Sequence, residues 1–371
     1  NNFKVAVMYI KKLTLRNYRN YEYAEFEFDK NLNLLTGLNA QGKTNCAEAI
    51  FYLCTGYSPR ATRDKQVIKN GEKTANIKGV AVTKYGEIEI SIDFYFDKAK
   101  TVMVNGVPIK KIGELMGNFN SVFFNPEELK LIKESPEDRR RFMDIYLSQM
   151  SKKYFYALSR YKKILEHRNN LLKNPNSEVI YETLPLWDAQ LSEYAEIIIE
   201  ERRNFVKSLA PLASEVHEYI TNGKEKLKVS LESSFLNEES SVKESLISAL
   251  SERAEKDIIL GYTGVGPHRD DLKIKINGED VRVYGSQGQQ RTSAISLKLA
   301  ELKLFERKYG EYPVLILDDA LSELDSGRRK RLLENIKEVQ TIITCTELTE
   351  ELESLSGVKH FIIEEGKIKN H

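Results

Sequence analysis

Apolar and polar residues alternate over residues 9–15 and again over 23–28. This is the period-two pattern of half-buried strands, and Arg16-Asn17-Tyr18-Arg19-Asn20 reads as the turn between them. Leu32-Asn33-Leu34-Leu35-Thr36 is a short apolar strand, after which Cys46, Ala49, Ile50 and Leu53 recur at helical spacing. Strand patterns return over 75–82 and 87–96, and Asn105-Gly106 marks a hairpin turn. The period changes after Pro136. Over 139–172, Phe142, Ile145, Tyr154, Leu158, Tyr161 and Leu165 repeat every three or four residues, and a polar break follows at Lys173-Asn174-Pro175-Asn176-Ser177. A second long stripe then carries Trp187, Leu191, Tyr194, Ile198, Phe205, Leu209, Leu212 and Val216. Two such helices joined by a Pro/Asn linker predict an antiparallel helical arm, without the strict heptads of a coiled coil. A shorter helix is expected over 242–256, strands at 258–260 and 272–276, a helix over 286–308, and a strand from Val314 that ends in acids. Helix 328–339 and strands 341–344 and 360–363 close the chain.

The expectation is an α/β protein with a mixed-sheet head, residues 8–120 and 258–371, interrupted by a mostly helical arm lobe at 121–257. A length of 371 residues fits two lobes. No apolar run is long enough to span a membrane, and no positive-then-apolar signal pattern opens the chain, so a cytoplasmic protein is expected. Met8 resembles a natural start, which would make residues 1–7 upstream sequence. Cys46, Cys54 and Cys345 are too few and too scattered for a metal site and read as reduced, buried thiols. The 56 Lys and Arg nearly balance 55 Asp and Glu, so any nucleic-acid surface must arise from local clustering.

Gly37-Leu38-Asn39-Ala40-Gln41-Gly42-Lys43-Thr44 fits G-x-x-x-x-G-K-[ST], with a strand before it and a helix after it. Glycines let such a loop turn successive N–H groups toward phosphate oxygens, and the helix N-terminus adds its positive end. Lys43 would reach the β and γ phosphates of ATP, and the Thr44 hydroxyl would ligate Mg²⁺. Leu315-Ile316-Leu317-Asp318-Asp319 is a buried strand ending in paired carboxylates. Asp318 is placed to hold the Mg²⁺, and Asp319 to orient or deprotonate the attacking water. Ser286-Gln287-Gly288-Gln289-Gln290 precedes a helix and offers a second anion-binding terminus. One γ-phosphate has no use for two helix termini from the same head. Ser286, Gly288 and Gln289 therefore read as completing the site of a second molecule, with an ordinary N-cap serine as the plainer alternative.

Together these residues resemble the ATP-binding-cassette superfamily of P-loop NTPases in its SMC/Rad50-like branch: Walker A at 37–44, the signature at 286–290, Walker B at 315–319 and the D-loop at Ser322-Glu323-Leu324-Asp325. More narrowly the chain is similar to the RecF family, through Leu13-Thr14-Leu15-Arg16-Asn17-Tyr18-Arg19-Asn20-Tyr21, Asn125-Pro126-Glu127-Glu128-Leu129, 136–141 and Gly266-Pro267-His268-Arg269-Asp270-Asp271-Leu272. The resemblance implies an ATP-dependent homodimer that binds duplex or gapped DNA and cooperates with RecR, and indirectly RecO, in loading recombinase. Three features depart from the superfamily pattern. Asp319 stands where Walker B carries Glu. No histidine follows strand 341–344, leaving Thr346 as the nearest polar group. No glutamine lies near Phe124-Asn125-Pro126-Glu127. The shortened base predicts slow hydrolysis, with ATP as clamp more than fuel. A transporter subunit or a small-molecule kinase is the rival reading. The first would place its signature much nearer Walker A, and the second would need neither the signature nor the D-loop.

For DNA, residues 139–173 hold ten Lys and Arg (Arg139, Arg140, Arg141, Lys152, Lys153, Arg160, Lys162, Lys163, Arg168 and Lys173) against Asp144 and Glu166. This is either a phosphate-binding face, with Arg140, Lys153 and Lys163 its foremost residues, or a solvated helix surface. Arg60 and Arg63 resemble the SMC/Rad50 loop arginines that reach nucleotide or DNA, or belong to a plain surface loop. Arg16, Arg19 and Tyr18 either flank adenine or form a hairpin turn. His268 reads as part of a structural turn.

Overall fold

The computed structural model describes residues 6–125, 130–173, 177–237, 239–322, 324–353 and 357–369. Most of the Asn125–Leu129 motif, the D-loop Glu323 and the centre of the 173–177 linker lie outside the described residues. The chain forms two units. One comprises residues 1–129, 212–227 and 285–371, the other 130–211 and 228–284. The division departs from the expected one: 258–284, assigned to the head from sequence, groups with the helical unit, whereas 121–125 and 212–227, assigned to the arm lobe, group with the head.

The head contains a six-stranded sheet ordered Lys367–Lys369, Lys359–Glu364, Leu32–Thr36, Thr341–Cys345, Val314–Asp318 and Ser121–Phe124. All neighbours are parallel except the Lys367–Lys369 edge strand. Val314–Asp318 and Thr341–Cys345 are buried along their whole length, as expected of central parallel strands covered on both faces. A second, antiparallel sheet runs Tyr21–Glu27, Tyr9–Tyr18, Thr74–Thr83, Gly86–Tyr95, Thr101–Val104 and Val107–Pro108. Asn105 and Gly106 both take positive φ in the last hairpin. The helix Lys43–Thr55 packs against both sheets, which explains why nearly all its residues are buried and why it lacks a polar face. Packing is close enough at Gly79 that a Cβ there would sit 2.4 Å from Leu53 Cδ1.

One polar residue fastens the two sheets. Gln340, fully buried, donates to Ile10 O (2.8 Å) and Asp29 O (2.7 Å) and accepts from Ile10 N (2.7 Å). Upstream of Met8, Ala6–Val7 pairs in parallel with Glu311–Tyr312.

In the helical unit, the continuous helix expected over 139–172 is two helices, Pro136–Met150 and Lys152–Lys173. Ser151 breaks them with extended dihedrals and accepts a bond from Tyr154 N (3.2 Å). The second stripe is the 44-residue helix Ser177–Ile220. The expected strand at 258–260 is instead the end of helix Ala254–Leu260: Ile259 is 83% exposed, and Gly261 closes the helix in the left-handed conformation. A three-stranded sheet, Leu227–Glu232, Asp271–Ile276 and Glu279–Asp280, was only partly foreseen.

Candidate nucleotide site and cation surfaces

Strand Leu32–Thr36 feeds the loop 37–42, and helix Lys43–Thr55 leaves it. Gly37 (φ 148°) passes so close to the neighbouring strand that a Cβ would meet Ile363 O at 2.2 Å. Gly42 (φ 123°) leaves the helix N-terminus free of any side-chain cap. The loop is tied from outside: Asn20 Nδ2 and Gly366 N both donate to Gln41 O (2.8 and 2.9 Å), and Tyr21 OH donates to Gly42 O (2.9 Å). Leu38, Asn39 and Ala40 are exposed at its crest, and Ala40 takes φ 63°. Lys43 folds back so that Nζ donates to Gly37 O (2.6 Å) and Leu38 O (2.8 Å). Burial lowers its pKa, partly countered by Asp319, Cys345 and Asp318.

The buried carboxylate of Asp318 accepts from the hydroxyls of Thr44 (2.9 Å) and Thr344 (2.6 Å) on the same oxygen, Oδ1. Burial raises its pKa, while the Thr344 and Thr44 hydrogen bonds and the Arg60 charge oppose that rise. A cation beside Oδ1 would relieve the same cost. Thr44 and Asp318 thus fit Mg²⁺ as two hard oxygen donors, with phosphate and water left to fill the remaining positions. Among the described residues no cluster of three or more His, Cys, Asp or Glu could hold a metal unaided. Asp319 follows in the left-handed region (φ 52°), its N–H held by Thr344 O (3.1 Å) and Thr344 Oγ1 (3.0 Å). That conformation, unusual outside Gly, Asn and Asp, fixes a half-buried carboxylate just past the strand end.

Ser286 is the N-cap of helix Gln287–Tyr309, accepting from Gln289 N (3.2 Å) while Gln289 Oε1 accepts from Ser286 N (2.9 Å). The plainer reading of that serine holds, yet Ser286 and Gln287 remain exposed at an open helix N-terminus. A Cβ on Gly288 would meet Arg328 Nη1 at 2.8 Å, so this glycine admits the guanidinium of helix Ser326–Asn335.

Thr346 is exposed, and a histidine that sequence reasoning missed lies one strand away. His360 Nε2 meets the Thr36 hydroxyl at 2.7 Å, because Lys359–Glu364 pairs beside Leu32–Thr36. Only the strand order could reveal that neighbour.

A model of the RecF/RecN/SMC N-terminal domain matches residues 9–366. The chain is 43% identical to the DNA replication and repair protein RecF of Clostridium kluyveri over 362 residues, 97% of this chain and 99% of that one. The chain belongs to the RecF family. The RecF of Alkaliphilus oremlandii is 46% identical over 344 residues, 91% of this chain and 93% of that one. Among solved structures, one described as the recombination mediator protein RecF-ATP in the RecFOR pathway superposes with TM-score 0.89 at 37% identity, across 100% of this chain and 99% of that one. An Smc head domain derived from Pyrococcus furiosus, 19% identical with TM-score 0.57, shares the fold alone. The ABC/SMC-type ATPase fold and the RecF resemblance read from the motifs therefore hold over nearly the whole chain.

Within this RecF-family chain the predicted cations separate sharply. Arg139 is buried, with Nε and Nη2 on Asp271 (2.5 and 3.0 Å). Arg168 is fully buried between Asp188 (2.6 Å) and Asp257 (3.1 Å). Both belong to the core of the helical unit and not to a surface. Arg140 is half-buried and donates to Asp270 O (2.7 Å), which corrects its place as a leading DNA contact. Lys152, Lys153, Arg160 and Lys163 are exposed and make no ion pair among the described residues. Tyr18 is fully buried against Phe94 (6.2 Å between centroids), so it cannot stack on a base. Arg60 turns inward to Glu48 (2.9 Å) and Asn45 (2.7 Å), whereas Arg63 is exposed and its guanidinium pairs with no acid among the described residues. His268 is a structural residue, with Nδ1 facing Tyr161 OH (2.7 Å) and Nε2 facing Thr263 O (3.0 Å).

Proposed function

We propose that this chain is an ATP-dependent DNA-binding protein of replication and recombinational repair. Two heads close head-to-tail over two Mg-ATP molecules and clamp duplex or gapped DNA. One observation supports the reading: two anion-binding helix termini stand in one chain, where a single γ-phosphate needs one. The loop, Lys43, Thr44, Asp318 and Asp319 lie together, while the second anion-binding terminus at Ser286–Gln289 is exposed, with its hydroxyl bonded within its own cap. Leu38, 76% exposed in the loop, and Val283 and Tyr284, 60% and 71% exposed just before the signature, are apolar residues such an interface would cover.

In this reading Lys43 exchanges two loop carbonyls for β- and γ-phosphate oxygens. Thr44 and Asp318 hold Mg²⁺, which when bound withdraws charge from the phosphates. Asp319 orients water, and Ser286 and Gln289 of a second copy meet the γ-phosphate. The short Asp319 side chain makes hydrolysis slow, and hydrolysis, stimulated when DNA is bound, is the switch that reopens the clamp. Lys153, Lys163 and Arg63 serve as phosphate contacts. Membership of the family that gives the RecFOR pathway its F supports cooperation with RecR, and through it RecO.

Sedimentation with Mg-ATP tests this. The wild type should dimerise, Ser286→Arg should bind nucleotide yet stay monomeric, and Lys43→Ala should lose both. An unchanged Ser286→Arg dimer, or DNA-free turnover well above about 10 s⁻¹, counts against it.

A further inference from the structure

A phosphate loop that turns its N–H groups toward an anion turns carbonyls the other way, and those carbonyls need donors of their own. Gln41 holds one of the variable positions of G-x-x-x-x-G-K-[ST], so the motif leaves its side chain unassigned. Here a distant segment takes it up. Gln41 O accepts from Gly366 N (2.9 Å) as well as from Asn20 Nδ2 (2.8 Å), and Gln41 Oε1 accepts from Glu365 N (2.5 Å). Two consecutive N–H groups, the nearer 324 residues further along the chain, thus converge on one loop residue.

Glu365 and Gly366 form the turn between strands Lys359–Glu364 and Lys367–Lys369, where Glu364 pairs with Lys367. Both take positive φ (49° and 70°), as in a type I′ hairpin turn. Gly366 is buried, and a Cβ on it would sit 2.5 Å from Asn20 O and 3.3 Å from Tyr21 Cα. Asn20 and Tyr21 are themselves donors to the loop, through Asn20 Nδ2 on Gln41 O and Tyr21 OH on Gly42 O. The hairpin also reaches the start of the loop, where Ile363 O stands in the way of any Cβ on Gly37. It therefore backs the loop at both ends. A hairpin that only closed the sheet edge would need neither the Gln41 side chain nor a glycine packed on Asn20.

Resting on the nucleotide reading above, we propose that the Glu365-Gly366 turn is a positioning element of the nucleotide site and acts through Gln41. The turn touches no phosphate. It keeps the loop in its anion-binding shape before nucleotide arrives, so that binding does not have to order it.

Titration of the full chain with a fluorescent ATP analogue and Mg²⁺ tests this, together with the melting temperature and the amide exchange of residues 38–42 without nucleotide. Gly366→Ala should raise the Kd about tenfold, the loss expected when the loop is competent about a tenth of the time. It should also speed exchange of the loop, and saturating analogue should slow that exchange again. Gly357→Ala is the control: Gly357 has φ 73° with nothing within 4 Å of a Cβ, so it carries the same dihedral cost without the contact, and its Kd should match the wild type. Gln41→Met keeps the length of the side chain while removing the acceptor; it should raise the Kd and speed loop exchange, and serves if Gly366→Ala does not fold. A lowered melting temperature with Kd and loop exchange unchanged overturns the proposal, as does an equal loss of affinity in Gly357→Ala. A wild-type chain that fails to bind the analogue overturns the nucleotide reading instead.

Discussion

The charged residues that sit where apolar ones are expected explain most of what is buried here. Arg168 falls in register with Tyr154, Tyr161, Ile164 and Leu172, and Arg202 with Ile198, Phe205 and Leu209, so both arginines point into the helical unit. Counting cations along the chain assigns Arg168 to a surface; placing it on its helical stripe would have assigned it to the core. Arg202 donates to Asp144 (2.8 Å), Asp270 (2.9 Å), Tyr154 OH (3.1 Å) and Pro267 O (2.7 Å). It therefore ties the Gly266–Leu272 motif into the helical unit. Arg202→Ala should cost roughly 3–5 kcal/mol, read by chemical denaturation, because Asp270 is left buried without its cation. The sign of the pH dependence follows. Burial already raises the Asp270 pKa against the pull of Arg202, and losing Arg202 raises it further. A raised carboxyl pKa stabilises the fold only below it, so the deficit of Arg202→Ala should be largest at neutral pH and shrink on acidification. His268 acts oppositely in the wild type: its pKa is pushed down to about 4 by burial, so its neutral packing favours the fold at pH 7 and is lost as pH falls from 6.5 toward 4.

At the scale of elements, periodicity made the long helices and the hairpin strands legible, since each follows from local spacing of apolar residues. The misreadings have physical causes. Ile258-Ile259-Leu260 is apolar and carries two β-branched residues, yet it ends a helix because Gly261 supplies the left-handed cap. Ser121–Phe124 is too short to stand out and becomes a strand only because Val314–Asp318 pairs with it. The helix Lys152–Lys173 divides its cations by face. Lys153, Tyr156, Arg160, Lys163 and His167 recur every three or four residues and are exposed, while Arg168 is not. From Lys153 to Lys163 the stripe extends about 15 Å, enough to meet successive phosphates. Reversing the charge of Lys153, Arg160 and Lys163 together should weaken DNA binding and reduce the salt slope by roughly one for each phosphate no longer neutralised, with the melting temperature unchanged. Arg140→Glu should instead destabilise the fold, because it removes the donor to Asp270 O. Equal salt slopes for the triple variant and the wild type would place the DNA-binding face away from this helix.

At the scale of the molecule, the head is a sheet assembled from distant segments. Leu32–Thr36, Ser121–Phe124, Val314–Asp318, Thr341–Cys345 and Lys359–Glu364 lie side by side, so Thr44 and Asp318 meet only once the chain has returned from the helical unit. The motifs were legible because each needs a few adjacent residues; the strand order, the hairpin tie on Gln41 and the place of His360 were not, because they exist only through that return. The same logic extends to two chains. In a closed two-fold dimer each site takes its loop from one copy and its signature helix from the other. Lys43→Ala disables the loop in both sites of its own dimer, and Ser286→Arg disables the signature in both of its own. A mixed dimer of the two variants concentrates both defects in one site and leaves the other wholly intact. Neither variant alone should support ATP-dependent dimerisation, but an equimolar mixture should recover it, with about a quarter of the wild-type sites if the subunits pair at random. Tagging each variant with a different fluorophore and following energy transfer on ATP addition reads that recovery directly. A mixture as inactive as its components would show that loop and signature act within one chain, because only a site shared between copies can be rebuilt from two broken ones.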